Sequence, residues 1–401
     1  MKKALTALLA LAVLCSAAFA AAPYHIGVVT ETVSQAEDDL RGAEALVAEY
    51  GASANGGYIT HLTYPDNFMD EQETVISIIR GLADDPLMKA VIVNNAVPGT
   101  AEAFRQIKEV RPDIYCIAGE SQESPYLIAS SADLICANDF VARGYLMIMA
   151  AHKLGCDTFA HISFPRHLSQ ESMSRRRAIM IETCNELGMK FVDISAPDPT
   201  SDVGVAGAQQ YILENTPEWI KTYGANTAFF CTNDAHTEPL LRQLINYGGY
   251  FIEADLPSPL MGYPGALGID LSAEAGDFPA ILAKVENAII EQGGANRFGT
   301  WAYSFGYTTT AGLGQLAMNK IEADLKGEKF DLTSIRNIQR AYAKYTPGAA
   351  WNGSYYVEAN SGVNYRNYVL TYQDTYIMGG YGYMHNTDLE VPEKFFYITG
   401  K

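Results

Sequence analysis

The chain has 401 residues and a formal net charge of −18, with 28 basic against 46 acidic side chains. That balance excludes nonspecific nucleic-acid binding, which draws its affinity from clustered cations. After residue 20 no stretch has the ~20 uninterrupted apolar residues of a membrane helix, and the length exceeds one ordinary domain and implies two lobes.

Residues 1–20 read as an address label. Lys2 and Lys3 precede an apolar run over 4–13, and Ala18-Phe19-Ala20 supplies the small-x-small pattern that signal peptidase accepts. The expectation is a cleavable signal peptide and a periplasmic or other extracytoplasmic location. Cleavage after Ala20 removes two lysines and moves the formal charge from −18 to −20. Cys15 raises a lipid anchor as an alternative, but Leu14 stands where a lipobox needs a small side chain. The remaining cysteines, at 116, 136, 156, 184 and 231, are widely spaced within apolar runs and read as buried free thiols, with one possible pair. No CxxC or HExxH spacing occurs, so no metal and no cofactor is expected.

From residue 24, apolar runs suited to buried strands alternate with amphipathic helical stretches. Strands are expected at 24–30, 58–64, 89–95, 114–118 and 133–137, with helices at 36–50, 70–83 and 100–110. Strands separated by helices of about ten to fifteen residues imply βαβ units and a parallel sheet. The pattern restarts with a helix at 140–154. Strands follow at 158–164, 190–195, 228–232, 250–254 and 266–271, and helices at 169–187, 205–215, 237–247 and 278–292. The fold class is therefore α/β: two doubly wound parallel-sheet lobes joined by a hinge. A helix at 307–326 ends at Gly327. The tail from 331 to 401 differs in kind, with eight tyrosines between Tyr355 and Tyr383. It reads as an aromatic-rich C-terminal extension of turns and short strands, a plate packed on the outside of the lobes.

In open parallel sheets, ligands bind beyond the carboxyl ends of the strands. That rule selects Thr30, Glu31, Ser34 and Gln35, then Asn94 and Asn95, then Glu120 and Ser121. In the second half it selects Phe164 and Arg166, then Asp198, then Asn233 and Asp234, then Asp255. The first and the Asn233-Asp234 groups serve equally well as helix caps. The accumulation of polar strand ends in both halves is what favours a cleft between them. Arg175-Arg176-Arg177 lies on a helix, where successive side chains point about 100° apart, so the three cannot all face one ligand. One reaching the cleft would offer a forked set of donors; at least one other is solvated or paired.

Four segments then fall in a specific order: Asn138-Asp139-Phe140 through Gly144; Arg177 three residues before Met180; Cys231-Thr232-Asn233-Asp234-Ala235; and Tyr303 to Gly306 with the helix ending at Lys326-Gly327. Their order and spacing resemble the type I periplasmic binding proteins, the group that includes ribose receptors and the purine-nucleoside-binding basic membrane proteins. The resemblance covers about 24–328. The Arg-rich helix and Ala196-Pro197-Asp198-Pro199 resemble one branch of these receptors. The first loop lacks the paired phenylalanines that sandwich a sugar in ribose receptors, so a pentose is not implied.

The resemblance implies a first lobe at 21–138, with 304–330 returning to it, and a second lobe at 139–303. Phe140, Arg143 and Tyr303 then join the ligand contacts at the hinge, and Arg177 and Asn233 become the residues whose truncation weakens binding, with Arg166 as substitute for Arg177. The implied function is a receptor without catalytic chemistry or cofactor. It would act as a monomer that closes on a small polar ligand of sugar, nucleoside or related organic type, and a membrane permease of the ABC kind or a sensor would read the closed form. The alternative is an exported enzyme on a similar scaffold. Against it, the chain has no Gly-x-Ser-x-Gly elbow and no phosphate-binding glycine loop. A sugar-responsive regulator would need a DNA-reading helix pair where this chain has its signal segment.

Overall fold

The computed structural model describes residues 21–400. The expected signal segment and Cys15 lie outside the described residues, as do the side chains of residues 33–35, including Ser34 and Gln35. Lobe one opens with β1 (His25–Thr30), α1 (Val33–Tyr50), β2 (Ile59–Thr63), α2 (Gln72–Gly81) and β3 (Met88–Asn94). It continues through α3 (Thr100–Val110), β4 (Tyr115–Gly119), α4 (Pro125–Ala129) and β5 (Leu134–Asn138). These five strands pair in parallel in the order β5-β4-β3-β1-β2. Side chains alternate between the faces of a strand, and β3 divides accordingly. Val91 and Val93 join the core beneath α2 and α3, while Ala90 and Ile92 join the core beneath α1 and the returning helix. Burial on both faces is why these strands read as continuous apolar runs.

Lobe two runs α5 (Phe140–Lys153), β6 (Thr158–Ser163), α6 (Pro165–Leu168), α7 (Glu171–Leu187), β7 (Lys190–Ser195), α8 (Gly204–Tyr223), β8 (Thr227–Cys231), α9 (Thr237–Tyr247) and β9 (Tyr250–Phe251). It closes with α10 (Tyr263–Leu267), α11 (Phe278–Glu291) and β10 (Gly299–Trp301). Its parallel sheet has the order β7-β6-β8-β9. Two expectations fail here. The strand expected at 266–271 is α10 and a loop. Pro264 sits in the first turn of that helix, where a missing N–H costs nothing, and left-handed Gly262 and Gly268 flank it. The strand expected at 250–254 stops at Phe251, because the carbonyls of Ala254 and Asp255 bond to Arg143 instead of a neighbouring strand. Helix α8 also runs beyond the expected 215, through Pro217, since Ala208, Ile212, Thr216 and Ile220 keep one stripe buried at a spacing of four.

The chain returns to lobe one as α12 (Phe305–Lys326) and α13 (Ile335–Tyr345), followed by β11 (Trp351–Val357), β12 (Asn364–Gln373), β13 (Thr375–Ile377) and β14 (Gly382–Tyr383). The tail is not an outer plate. β12 pairs in parallel with β5 and in antiparallel fashion with β11, which completes a seven-stranded sheet. β13 pairs with β10 at lobe two. The lobes are thus joined by three crossings, at Asn138–Phe140, near Tyr303 and near Asp374, where two were expected. Tail residues Tyr356, Tyr368 and Phe395 belong to the lobe-one core. All five cysteines among the described residues are buried and free, and burial pushes their thiols up to about 12.

The tail is docked through close helix contact. A Cβ at Gly312 of α12 would lie 2.3 Å from the ring of the fully buried Tyr342 on α13. Gly312→Ala should therefore destabilise the protein by about 1–3 kcal/mol, the usual cost of overpacking, measured by urea unfolding against the parent. An unchanged midpoint would show that α13 is not held to α12 in this way.

Candidate functional site

The carboxyl ends of β3 and β4 and the segment after β8 meet across the gap between the lobes. Asn95 and Glu120, the residues just beyond β3 and β4, adopt left-handed backbone conformations with φ of 53° and 44°. Non-glycine residues carry a strain of about 1–3 kcal/mol in such regions, and such strain clusters at functional sites. The backbone around them is fastened: Ala96 N–H donates to Gly119 O at 2.9 Å and Glu120 N–H donates to Cys136 O at 2.8 Å. Two adjoining cavities open there. The inner one measures 260 Å³ and the outer one 630 Å³, and Asn95, Glu120, Asp234 and Leu256 line both.

The charges divide into a satisfied set and an unsatisfied one. Arg143 of α5 is buried, and each of its nitrogens is engaged: Nε with Glu253 Oε1 at 2.6 Å, Nη1 with Asp255 O at 2.7 Å and Nη2 with Ala254 O at 2.6 Å. Arg176 is also buried and pairs with Asp255 Oδ1. By contrast, Asp38, Asp39, Glu120 and Asp234 have no basic side chain bonded to them among the described residues. Burial pushes Asp38 up to about 6 and both Glu120 and Asp234 up to about 7; Asp255 adds to the effect on Asp234. Asp39 is raised well above the usual range by burial and by Glu31, Asp38 and Glu120.

This arrangement of two doubly wound lobes recurs in solved structures. A protein of Clostridium difficile 630 provisionally described as a transcriptional regulator superposes with a TM-score of 0.77 at 20% identity, over 88% of this chain and 99% of that one. A sugar ABC transporter protein of Actinomyces odontolyticus ATCC 17982 superposes with a TM-score of 0.52 at 11% identity, over 91% and 96%. The fold is that of the type I periplasmic binding proteins. In sequence, the model of the family described as "Protein of unknown function (DUF3798)" matches residues 24–299. The chain belongs to that family. A second family model matches residues 310–398. An uncharacterized protein of Treponema pallidum (strain Nichols) is 39% identical over 209 residues, which is 52% of this chain and 94% of that protein. A second one from the same organism is 42% identical over 178 residues, 44% and 80% respectively.

In this DUF3798 chain the strand-end residues divide into those at the cleft and those elsewhere. Asn94, Asn95, Glu120, Ser121, Asn233, Asp234 and Asp255 all border one or both cavities. Within that group Asn94 is also a tie to the returning helix, donating through Nδ2 to Gly306 O at 3.2 Å and Thr310 Oγ1 at 2.7 Å. Asn233 uses its Oδ1 to cap Ala235 N at 3.0 Å. Phe140 and Arg143 border the outer cavity, but the bonds of Arg143 make it a positioning residue, and Phe140 lies 5.2 Å beneath the guanidinium of Arg175.

The others are directed away. Arg177 pairs with Asp193 on the outer strand β7, and Arg166 forms a two-pronged pair with Asp198, so neither is at the cleft. Thr30 bonds to His61 at 2.9 Å, and the buried Glu31 lies against Tyr64 and Asn95 one layer behind the cavities. Phe164 packs at a tilt against His167 behind the outer cavity, and Tyr303 donates to Pro347 O at the crossing. The three consecutive arginines do fan out as helix geometry requires: Arg175 reaches carbonyls of Val357, Phe396 and Ile398, Arg176 reaches Asp255, and Arg177 faces outward. It is Arg176, one position earlier than expected, that reaches the cleft.

Sequence reasoning missed Asp38, Asp39 and Ser258, because α1 and the loop before α10 approach the cleft only through the return of α12. It also missed Tyr356 and Tyr368, which line the outer cavity from the tail. The raised carboxyls carry a stability cost with a defined sign. Glu120 in the folded state holds its proton to about pH 7, against 4.5 for an ordinary glutamate. The penalty for ionising it therefore grows between about pH 4.5 and pH 7 and is constant above. Glu120→Gln removes it, so the variant should gain stability over the parent by about 1–3 kcal/mol more at pH 8 than at pH 5, allowing for its partial solvent contact. Thermal unfolding at the two pH values measures this, and an equal difference at both would refute the assignment.

Proposed function

We propose that this protein is an exported solute-binding receptor. It closes around a small polar organic solute and presents the closed form to a membrane permease or a sensor. The observation that carries this reading is the composition of the inner cavity wall. Asp38, Asn94 and Glu120 come from lobe one and Asp234, Leu256 and Met261 from lobe two, so one solute touches both. A solute bridging the lobes favours the closed state by the contacts that only that state offers. The sugar ABC transporter protein of the same fold is consistent with a carrier role.

Three crossings still permit rotation, because each is a short segment and most of each lobe's apolar packing lies within that lobe. Opposing it are ties across the mouth of the cleft: Tyr356 on β11 donates to Glu171 at the start of α7 at 2.9 Å, and Arg175 donates to Val357 O at 3.0 Å. Tyr356→Phe removes one tie worth about 0.5–1.5 kcal/mol. The variant should be more open without solute and bind about two- to tenfold more weakly. Small-angle scattering with and without the solute released from natively purified protein reads the first, and calorimetry the second. Solute at a hundred times its Kd should add about 2.7 kcal/mol of stability and be recovered unaltered. Recovery of a chemically converted solute would make the protein an enzyme and end the receptor reading.

A further inference from the structure

We infer that the solute is a compact organic cation, a protonated amine whose charge sits among Asp38, Asp39, Glu120 and Asp234 in the inner cavity; this rests on the receptor reading above. Every charged residue lining that cavity is acidic. The nearest basic groups, Arg143 and Arg176, are already committed to Glu253 and Asp255.

The unpaired atoms point the same way, independently of the charge count. Asp38 Oδ1, Asn94 Oδ1 and Asp234 Oδ1 are buried without a hydrogen-bond partner, and Asn94 is only 1% exposed. All three are acceptors in the inner cavity, so the solute that satisfies them must bring donors. Ser258 and Ser304 hydroxyls face Asp38 but leave its Oδ1 unmatched. An anion would add repulsion. A neutral polyol would supply donors yet no counter-charge for these acidic groups when they ionise, which is costly in a partly desolvated site.

The carboxylates are spread along the wall: among the described residues no three such groups are gathered closely enough to hold a metal ion. Leu256, Pro257, Leu260, Met261 and Phe305 supply an apolar part of the wall, which suits the hydrocarbon body of an amine. At 260 Å³ the space lies below the usual range for small-molecule sites, so the solute is compact. One buried donor, Arg176 Nε, is unpaired at the outer cavity and is placed to meet a hydroxyl or carbonyl at the far end of the same solute.

The same charges supply a closing force. Asp38, Asp39 and Glu120 belong to lobe one and Asp234 to lobe two, and in the empty protein burial holds these carboxyls toward their protonated forms. A cation between them favours the ionised forms and is then attracted to both lobes at once. A charged solute thus drives closure in a way that a neutral one does not.

The test uses the full secreted chain, with calorimetry against 1,4-diaminobutane, agmatine and spermidine, their neutral counterpart 1,4-butanediol, and ribose, adenosine and glutamate. Mass spectrometry of solute released from natively purified protein runs alongside. At least one amine, or the released solute, should be a cation that binds about tenfold or more tightly than its neutral counterpart. Asp234→Asn should weaken that binding about tenfold while melting no lower than the parent, and Arg177→Ala should change it less than about twofold. A released or tightly bound solute that is neutral or anionic, or an amine that binds Asp234→Asn as well as the parent, overturns the cation inference and leaves the receptor standing. Failure of every solute to bind, with none released, overturns the receptor reading itself.

Discussion

The carboxylate of Glu253 is the point on which the two-lobed architecture turns. It is fully buried just after β9, and it accepts from Arg143 Nε at 2.6 Å, Trp301 Nε1 at 3.0 Å and Thr375 Oγ1 at 3.2 Å. Those three donors stand beside the first, second and third crossings respectively. A buried carboxylate left without its cation is strongly destabilising, whereas a fully bonded one is tolerated. The network therefore requires all three crossings to be in place together. Trp301, Phe305, Tyr372, Ala142 and Leu146 pack around it as a small apolar cluster of their own. Gln373 and Tyr303 add a reciprocal pair of bonds at 3.0 and 3.2 Å.

This fixed pivot allows the cleft to remain electrostatically unbalanced. Arg143 and Arg176 hold the 253–255 segment in place by bonding its side chains and carbonyls, so Asp234 and Glu120 face the cavity without a protein cation. Left-handed backbone at Asn95 and Glu120 aims those strand ends into the same space. Stability is supplied at the hinge and in the two cores, while unmet charge and strain are concentrated where a solute enters, the usual distribution at a binding site.

Much of the fold was legible from hydrophobic periodicity. Helix α3 occupies the expected residues 100–110, β3 and β4 lie within a residue or so of theirs, and the restart at α5 follows the first crossing as expected. The misreadings have physical causes. The apolar run at 266–271 serves the core equally well from a helix and a loop, with Leu267 and Leu271 both buried, and periodicity does not separate the two over so short a run. The tail misled because its tyrosines alternate imperfectly. At the β11–β12 pair the register shifts between Tyr355 and Tyr356, and the outer strand is only half covered.

For the site, the strand-end rule located Asn95, Glu120, Asp234 and Asp255, since in a parallel sheet the carboxyl ends of the strands are set by chain direction alone. Helix geometry likewise required the three arginines to diverge. What the sequence by itself determined is this local layer: strand and helix identity, the α/β class and the polar ends of the strands. The tertiary structure alone decided which arginine enters the cleft, that β12 inserts beside β5 to make a third crossing, and that Asp38 and Asp39 on the flank of α1 meet Asp234 from the other lobe. Those outcomes depend on contacts between residues as much as 233 positions apart, whose partners are chosen by packing and by the pairing of buried charge, and no local pattern carries that information.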